Sequence, residues 1–194
     1  MTYRTAPATT AVFDDVRTAL APKSAEATGC WCLSYRLPLS EHGPMTRDER
    51  AARLGQLCAA TPAPGILAYD DAGEVVGWLG LAPRHELAAY ARSARIPHVD
   101  DLAVWTVFCF KVRAGRRRRG VASDLLVGAV EYARSQGAPA IEGYPVDNDG
   151  ARVDTTLASA GTRALFERAG FTKAADTTST LAGFPRVVMR LALT

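Results

Sequence analysis

The feature that most constrains the fold is an apolar strand that runs through an arginine-rich turn into a helix, over residues 105–133. Residues 105–112 read WTVFCFKV, and such a run of β-branched and aromatic side chains predicts a largely buried, central strand. From residue 121 apolar side chains recur at helical spacing, which predicts an amphipathic helix to about residue 133. The strand and the helix are joined by RAGRRRRG, a turn with two glycines and five arginines.

This turn has the chemistry of an anion-binding site. A helix leaves its first backbone N–H groups without partners, and its dipole places partial positive charge at the same end. Gly120 lets a ligand approach the backbone closely, and the arginines add positive charge. The turn therefore predicts a phosphate-bearing ligand, such as a diphosphate. The residues alone leave open a nucleotide, or arginines that only cover a solvated surface.

Two motifs connect this region to a known family. Residues 117–122, RRRGVA, fit a pattern of Gln or Arg, two residues, Gly, one residue, then Gly or Ala, and residues 165–171, LFERAGF, look like a late helix-to-strand signature. At these motifs the sequence resembles the GNAT superfamily of acetyl-CoA-dependent N-acetyltransferases, over about residues 65–193. The turn lacks the Gly-Lys-Ser/Thr of a Walker P-loop and the spaced glycines of dinucleotide folds.

The order of predicted elements indicates an α/β (α+β) fold with a mixed sheet covered on both faces. Residues 66–69 and 75–81 bracket the turn DDAG and predict a hairpin, and residues 140–146 predict a later strand. The resemblance implies a GNAT-like acyl-CoA N-acyltransferase fold, whose central sheet is mixed, mostly antiparallel and flanked by helices. We expect one domain over residues 1–194, with residues 1–29 as an N-terminal extension and the core from about residue 30.

Several local structures are predicted outside this region. Residues 30–36, CWCLSYR, are predicted to form the first strand, after an irregular segment over residues 1–11 and a short helix over residues 12–20. Thr46 and Glu49 form a capping box that opens a helix to about residue 60. Ser159 is predicted to cap a short late helix, over residues 161–169, and a last strand covers residues 186–193. Polar segments over residues 38–44, 84–98 and 147–158 are expected to shape an acceptor pocket.

The resemblance also implies a co-substrate and a reaction. Acetyl-CoA is expected to bind without a metal, and an amine is expected to attack the thioester directly, with no covalent acetyl-enzyme. Two neighbouring strands of this fold diverge, and the pantetheine arm lies between them along the backbone of the central strand. The expected cofactor-binding residues are Phe110, Lys111, Val112, Arg117, Arg118, Arg119, Gly120, Val121, Ala122, Ser123 and Phe166.

Three residues are candidates for catalysis. Glu142 interrupts an apolar strand near the expected divergence, where partial burial would raise the pKa of its carboxyl group toward that of a useful base. An ion pair with a neighbouring Lys or Arg is the equally open alternative. Asp147 and Tyr144 are the other candidates. Phe166 stands where the family often has a tyrosine that protonates the leaving thiolate, and phenylalanine has no proton to donate.

The composition of the chain limits the kinds of partner that we expect it to bind. The chain has 194 residues, 48% of them hydrophobic, and a net charge of only +3, so a folded core is expected and general polyanion binding is not. The arginines lack the interleaved aromatic residues of nucleic-acid platforms. No apolar stretch predicts a membrane span or a leader, so we expect a cytoplasmic monomer or homodimer acting on a small-molecule or peptide amine. A regulatory acyl-CoA-binding protein with weak catalysis is the alternative.

Overall fold

The computed structural model describes residues 2–22, 24, 26–151 and 158–193. Within these residues one seven-stranded sheet has the order β1-β2-β3-β4-β5-β7-β6. Its strands are β1 (Arg4–Pro7), β2 (Gly65–Tyr69), β3 (Val75–Pro83), β4 (Trp105–Val112), β5 (Ala140–Gly143), β6 (Thr172–Leu181) and β7 (Phe184–Ala192). The helices are α1 (Phe13–Leu20), α2 (Leu39–His42), α3 (Arg47–Cys58), α4 (Val121–Ser135) and α5 (Arg163–Arg168).

Helices cover both faces of this sheet. Consecutive side chains of β2 alternate between two buried clusters, because successive residues of a strand point to opposite faces. Ile66 packs in the cluster that contains Leu125 of α4, whereas Leu67 packs in the cluster that contains Val16 of α1 and Leu54 of α3. Since β4 pairs with β5 in parallel and the other pairs are antiparallel, the predicted mixed, mostly antiparallel sheet flanked by helices is confirmed.

The strands β4 and β5 separate partway along their length. Their pairing ends at Val107 and Gly143, while β4 continues to Val112 in contact with β3 on its other side. The register between β3 and β4 also shifts between Gly80 and Leu81, which leaves Phe108 as an extra residue of β4. Such a bulge bends a strand and is common beside functional sites. The edge of β4 that faces β5 is thus open beyond Val107.

The predicted first strand is wrong. Trp31 and Cys32 have φ angles of 50° and 55°, and a 3-10 turn follows over Leu33–Tyr35. Two consecutive left-handed residues cannot continue an extended strand. The side chains of Trp31, Cys32 and Leu33 are nevertheless buried. The apolar residues of this segment therefore indicated burial, not a β-strand.

The first strand lies in the segment that the sequence predicts as irregular. β1 pairs antiparallel with β2 and forms one edge of the sheet. Pro7, its last residue, is tolerated because a strand end at a sheet edge does not need every N–H group. The helix predicted over residues 12–20 is confirmed by α1, which packs on β3 and on α3.

Other local predictions have mixed outcomes. Thr46 and Glu49 form both hydrogen bonds of the predicted capping box at the start of α3. The predicted cap at Ser159 is wrong: that residue lies in a 3-10 turn over Ala158–Ala160, and Thr162 precedes α5. Gly161, with a φ of +77°, separates the turn from the helix. In the predicted polar loop over residues 147–158, residues 152–157 lie outside the described residues.

The described helices include none that is both long and apolar enough to cross a bilayer.

Candidate active site

A cavity of about 560 Å³ lies between the end of β4, the start of α4 and the segment around α5. Volumes of this size are typical of sites for small molecules and cofactors. Of the residues predicted to bind the cofactor, only Arg119 and Phe166 do not line it. The lining residues are Cys109, Phe110, Lys111, Val112, Arg116, Arg117, Arg118, Gly120, Val121, Ala122, Ser123, Ser159, Gly161, Thr162, Leu165 and Arg168.

One end of the cavity is the N-terminus of α4. Gly120 is the residue before the helix and has a φ of +89°, and a β-carbon added there would meet no atom within 4 Å. Its carbonyl accepts from the N–H groups of Ser123 (2.9 Å) and Asp124 (3.1 Å), so the amides of Val121 and Ala122 precede the first helical hydrogen bonds. Free amides at the positive end of the dipole favour an anion.

Arginines reinforce the positive charge at this end. Arg116, Arg117, Arg118 and Arg168 contribute to the wall. The Arg116 guanidinium is held 2.6 Å from an Asp70 carboxylate oxygen, which fixes the turn to the β2–β3 hairpin. This end of the cavity thus combines the backbone amides of α4 with arginines from two segments, the turn before α4 and the end of α5.

The central strand contributes backbone more than side chains. The Lys111 ammonium donates to the carbonyl of Leu20 at the end of α1 (2.7 Å), and burial lowers the pKa of this amine. The Lys111 side chain therefore extends to the face of the sheet that α1 covers. Because β5 ends at Gly143, the backbone edge of β4 over residues 109–112 is accessible from the cavity.

Phe166 is buried behind the cavity wall. Its ring packs edge-on against Phe110 (6.1 Å between centroids) and Phe171 (5.1 Å). A β-carbon at Gly143 would lie 2.2 Å from this ring, so the glycine at the end of β5 makes room for it. Phe166 holds α5 against the diverging strands, and its predicted contact with the cofactor is not seen because Phe110 and Leu165 lie in front of it.

Glu142 is fully buried in a network of arginines. Its carboxylate accepts from Arg84 (3.4 Å) on one oxygen and from Arg190 (2.7 and 2.9 Å) on the other, and the Tyr144 hydroxyl donates to it (2.9 Å). Asp100 pairs with Arg190 in turn. The structure therefore shows the ion pair that the sequence left open as the alternative for this residue.

Arg84 extends the network to the polar segment over residues 84–98. Its guanidinium donates to the backbone carbonyls of Tyr90 (3.2 Å), Ile96 (2.8 Å) and Pro97 (3.0 Å). The buried pair of Arg84 and Glu142 thus fixes this segment onto the end of β5.

The other two catalytic candidates lie beyond β5. Burial strongly raises the pKa of Tyr144, which keeps its hydroxyl protonated. Asp147 pairs with Arg163 of α5 (3.0 Å), and its side chain is 24% exposed. Glu142, Tyr144 and Asp147 are all absent from the cavity lining of the described residues.

Sequence reasoning missed several lining residues. Arg116 belongs to the arginine-rich turn, and Cys109 immediately precedes Phe110, which was predicted to bind the cofactor. Both could therefore have been predicted as neighbours of the motif. Ser159 and Thr162 are brought to the cavity by the turn before α5, and no local pattern connects that turn to β4. A bridge between Val146 and Thr162 holds the turn beside the chain that follows β5, and the turn contacts β4.

Aromatic rings pack against β4 at its bulged residue, Phe108. The Tyr35 ring stacks on Tyr90 (5.6 Å between centroids) and packs on Phe108 (5.3 Å). Burial raises the pKa of the Tyr35 hydroxyl, and a hydrogen bond with Ser159 opposes that shift. Tyr90 packs edge-on against Tyr144 (4.8 Å). These rings pack next to the point where β4 and β5 separate, and none of the four lines the cavity.

Comparisons with solved structures show proteins of the same fold. A structure from Corynebacterium glutamicum ATCC 13032, described as histone acetyltransferase HPA2 and related acetyltransferase, is 20% identical with a TM-score of 0.56, covering 98% of this chain and 96% of that one. A GNAT superfamily phosphinothricin acetyltransferase from Sinorhizobium meliloti in complex with AcCoA is 16% identical with a TM-score of 0.58, covering 99% and 89%. The structure of the NatC complex bound to Gag peptide and CoA is 15% identical with a TM-score of 0.54, covering 100% of both chains.

These structures share the fold at low identity, and a search of curated proteins gives no match. The sequence model described as the acetyltransferase (GNAT) family matches residues 31–171, which is most of the chain and includes the whole strand–turn–helix region. The chain therefore belongs to the GNAT family of acetyltransferases.

Proposed function

We propose that this protein transfers the acetyl group of acetyl-CoA to the primary amine of a small molecule or peptide, by direct attack of the amine. The observation that carries the proposal is the cavity that joins the N-terminus of α4 to the open edge of β4. One end suits a diphosphate, and the other lies along the edge of β4 where it separates from β5. A substrate with a phosphate at one end and a thioester at the other would fill both.

The β4 backbone is the proposed source of oxyanion stabilisation. The bulge at Phe108 lies at the divergence, next to Cys109 on the cavity wall. Amides fixed in a strand cost no reorganisation when charge develops on the thioester oxygen. Holding both reactants there also supplies proximity, which can account for much of a rate enhancement.

Bond changes in the proposed reaction are simple. The amine nitrogen forms a bond to the thioester carbon, the carbon–sulfur bond breaks, and its electron pair leaves on sulfur. Asp147 is the proposed acceptor of the amine proton, through water, because solvent reaches its side chain while Glu142 and Tyr144 are closed off. Ser159, on the cavity wall, is the proposed hydrogen-bond donor to the leaving sulfur in place of the hydroxyl that Phe166 lacks.

Titration calorimetry and a thiol-release assay test the proposal together. We expect acetyl-CoA to bind with micromolar affinity and free CoA to appear only when a suitable amine is present. No binding at millimolar acetyl-CoA would overturn the proposed co-substrate. Mass spectrometry of the product, showing one added acetyl group on nitrogen, identifies the reaction.

Ser159→Ala tests the leaving-group contact. We expect kcat to fall about tenfold, less than the roughly 10²- to 10⁴-fold typical of general acid catalysis, because a thiolate leaves readily even without assistance. Ser123→Ala is the matched control at the α4 end of the cavity, where we expect a higher KM for acetyl-CoA and an unchanged kcat. Equal effects of both variants on KM alone would exclude the proposed role of Ser159.

A second candidate function is an acyl-CoA-binding regulatory protein with weak catalysis. It is favoured by one observation: within the described part of the chain, none of the predicted catalytic side chains lines the cavity. Acetyl-CoA binding without turnover over a broad panel of amines would support it. Rapid turnover of any amine would exclude it.

A further inference from the structure

Arg186 is a buried cation beside the proposed acceptor end of the cavity. This β7 residue is 9% exposed and lies next to Val146, just past the divergence of β4 and β5. Its Nε donates to the carbonyl of Tyr144 (2.7 Å), and its Nη2 donates to the Tyr90 hydroxyl (3.2 Å). Both acceptors are neutral oxygens.

Carboxylates near Arg186 are committed to other arginines. Glu142 pairs with Arg84 and Arg190, and Asp147 pairs with Arg163. No ion pair involving Arg186 is formed by the residues that the structure describes. A guanidinium has five N–H donors in a planar fork that matches an oxyanion, so donors remain for a ligand.

Two tyrosines lie between this cation and the cavity wall. Tyr90 accepts from Arg186, and its ring stacks on that of Tyr35 (5.6 Å between centroids). Tyr35 packs on Phe108, the residue before Cys109 of the cavity wall. Burial raises the pKa of both phenols, so they stay neutral and can donate hydrogen bonds to an anion.

A second buried arginine shows what a structural role looks like. Arg36 donates to the carbonyls of Pro64 (2.7 Å) and Leu81 (2.8 Å), so it joins two segments of the sheet. Arg186 also donates to one backbone carbonyl, that of Tyr144, but its second partner is a side-chain hydroxyl, that of Tyr90. Burying a charge among neutral groups is costly, and an opposite charge compensates that cost.

We propose that Arg186, with the hydroxyl groups of Tyr90 and Tyr35, binds an anionic group of the acceptor, so that the substrates are small amines carrying a carboxylate or another oxyanion near the nitrogen. This inference rests on the proposed acetyl transfer. Polyamines and other polycationic acceptors are disfavoured, because they need free carboxylates and would meet a cation instead.

The test compares matched acceptors that differ only in the anion. The panel contains α-amino acids with their carboxamides, ω-amino carboxylates with their amides, and aminoalkylphosphonates with their neutral esters, and it adds spermidine. We expect kcat/KM for the best anionic amine to exceed that of its neutral partner about 10- to 100-fold, as for a hydrogen-bonded charge pair. Equal rates within each pair, or turnover of spermidine alone, would overturn the inference and leave acetyl transfer standing.

Variants locate the effect on the proposed subsite. We expect Arg186→Gln to reduce the preference for the anionic member of a pair to about one, and Tyr90→Phe to reduce it partly while keeping the ring in place. Arg92→Gln, at an exposed arginine of the same polar segment, should keep the preference. If Arg186→Gln does not fold, the test rests on Tyr90→Phe, through its ratio of kcat/KM for the anionic acceptor to that for the neutral acceptor. An unchanged ratio there overturns the inference, whereas absence of acetyl-CoA binding in the wild type would instead refute the proposed function.

Discussion

Replacing Gly120 with glutamate is expected to abolish binding of CoA and acetyl-CoA, with an affinity loss of more than about 100-fold. The carboxylate would enter the end of the cavity where the first amides of α4 face the proposed diphosphate, and like charges repel strongly at such short range. The space around Gly120 is open, so the side chain meets no protein atom. Titration calorimetry measures the loss directly.

Gly137→Glu is the matched control, at the opposite end of the same helix. Gly137 also has a positive φ, +75°, and an added β-carbon there meets no atom within 4 Å. Both variants place a side chain in the left-handed region, at a cost of about 1–2 kcal/mol each. We expect similar thermal stability for the two variants but loss of cofactor binding only at residue 120. Normal binding by Gly120→Glu would show that the cofactor lies elsewhere.

Glu142→Gln is expected to lower the free energy of unfolding by about 3 kcal/mol, because it leaves Arg84 and Arg190 without their shared buried counter-charge. For a chain of this size the melting temperature should fall by about 6–12 °C. Asp100→Asn is the control: it removes the exposed partner of Arg190 and should cost less than about 1 kcal/mol. Chemical denaturation measures both changes.

The pH dependence of kcat/KM decides whether Glu142 also acts as the base. If Glu142 holds the segment over residues 84–98 and the Tyr144 hydroxyl in place, the acid limb of the profile should persist in Glu142→Gln at a reduced rate. If it accepts the amine proton, the acid limb should vanish. A variant with wild-type stability and no acid limb would assign catalysis to Glu142 and contradict its proposed positioning role.

Patterns confined to about twenty residues predicted the structure well. The strand over residues 105–112, the helix from residue 121, the β2–β3 hairpin and the Thr46 capping box are all confirmed. Each depends on hydrogen bonds or side-chain periodicity between residues close in sequence, which the sequence displays directly.

The errors have a common origin in burial without regular structure. Residues 30–36 read as a strand because they are rich in apolar and aromatic side chains that are buried, although left-handed residues bend the backbone. Residues 4–7 lack a strong strand pattern, and their pairing with β2 comes from the sheet edge offered by residues more than fifty positions away. Tertiary context supplied what local propensity lacked.

By itself the sequence determined the strand, the arginine-rich turn and the helix N-terminus, because an amphipathic helix after a glycine necessarily presents free amides wherever it is placed. Only the tertiary structure decided which side chains surround that site. Glu142 contacts Arg84 and Arg190, which are 58 and 48 residues away in sequence. Ser159 lines the same cavity as β4, although it lies well after that strand in the sequence. Such contacts depend on how the sheet and its covering segments pack, which no local pattern records.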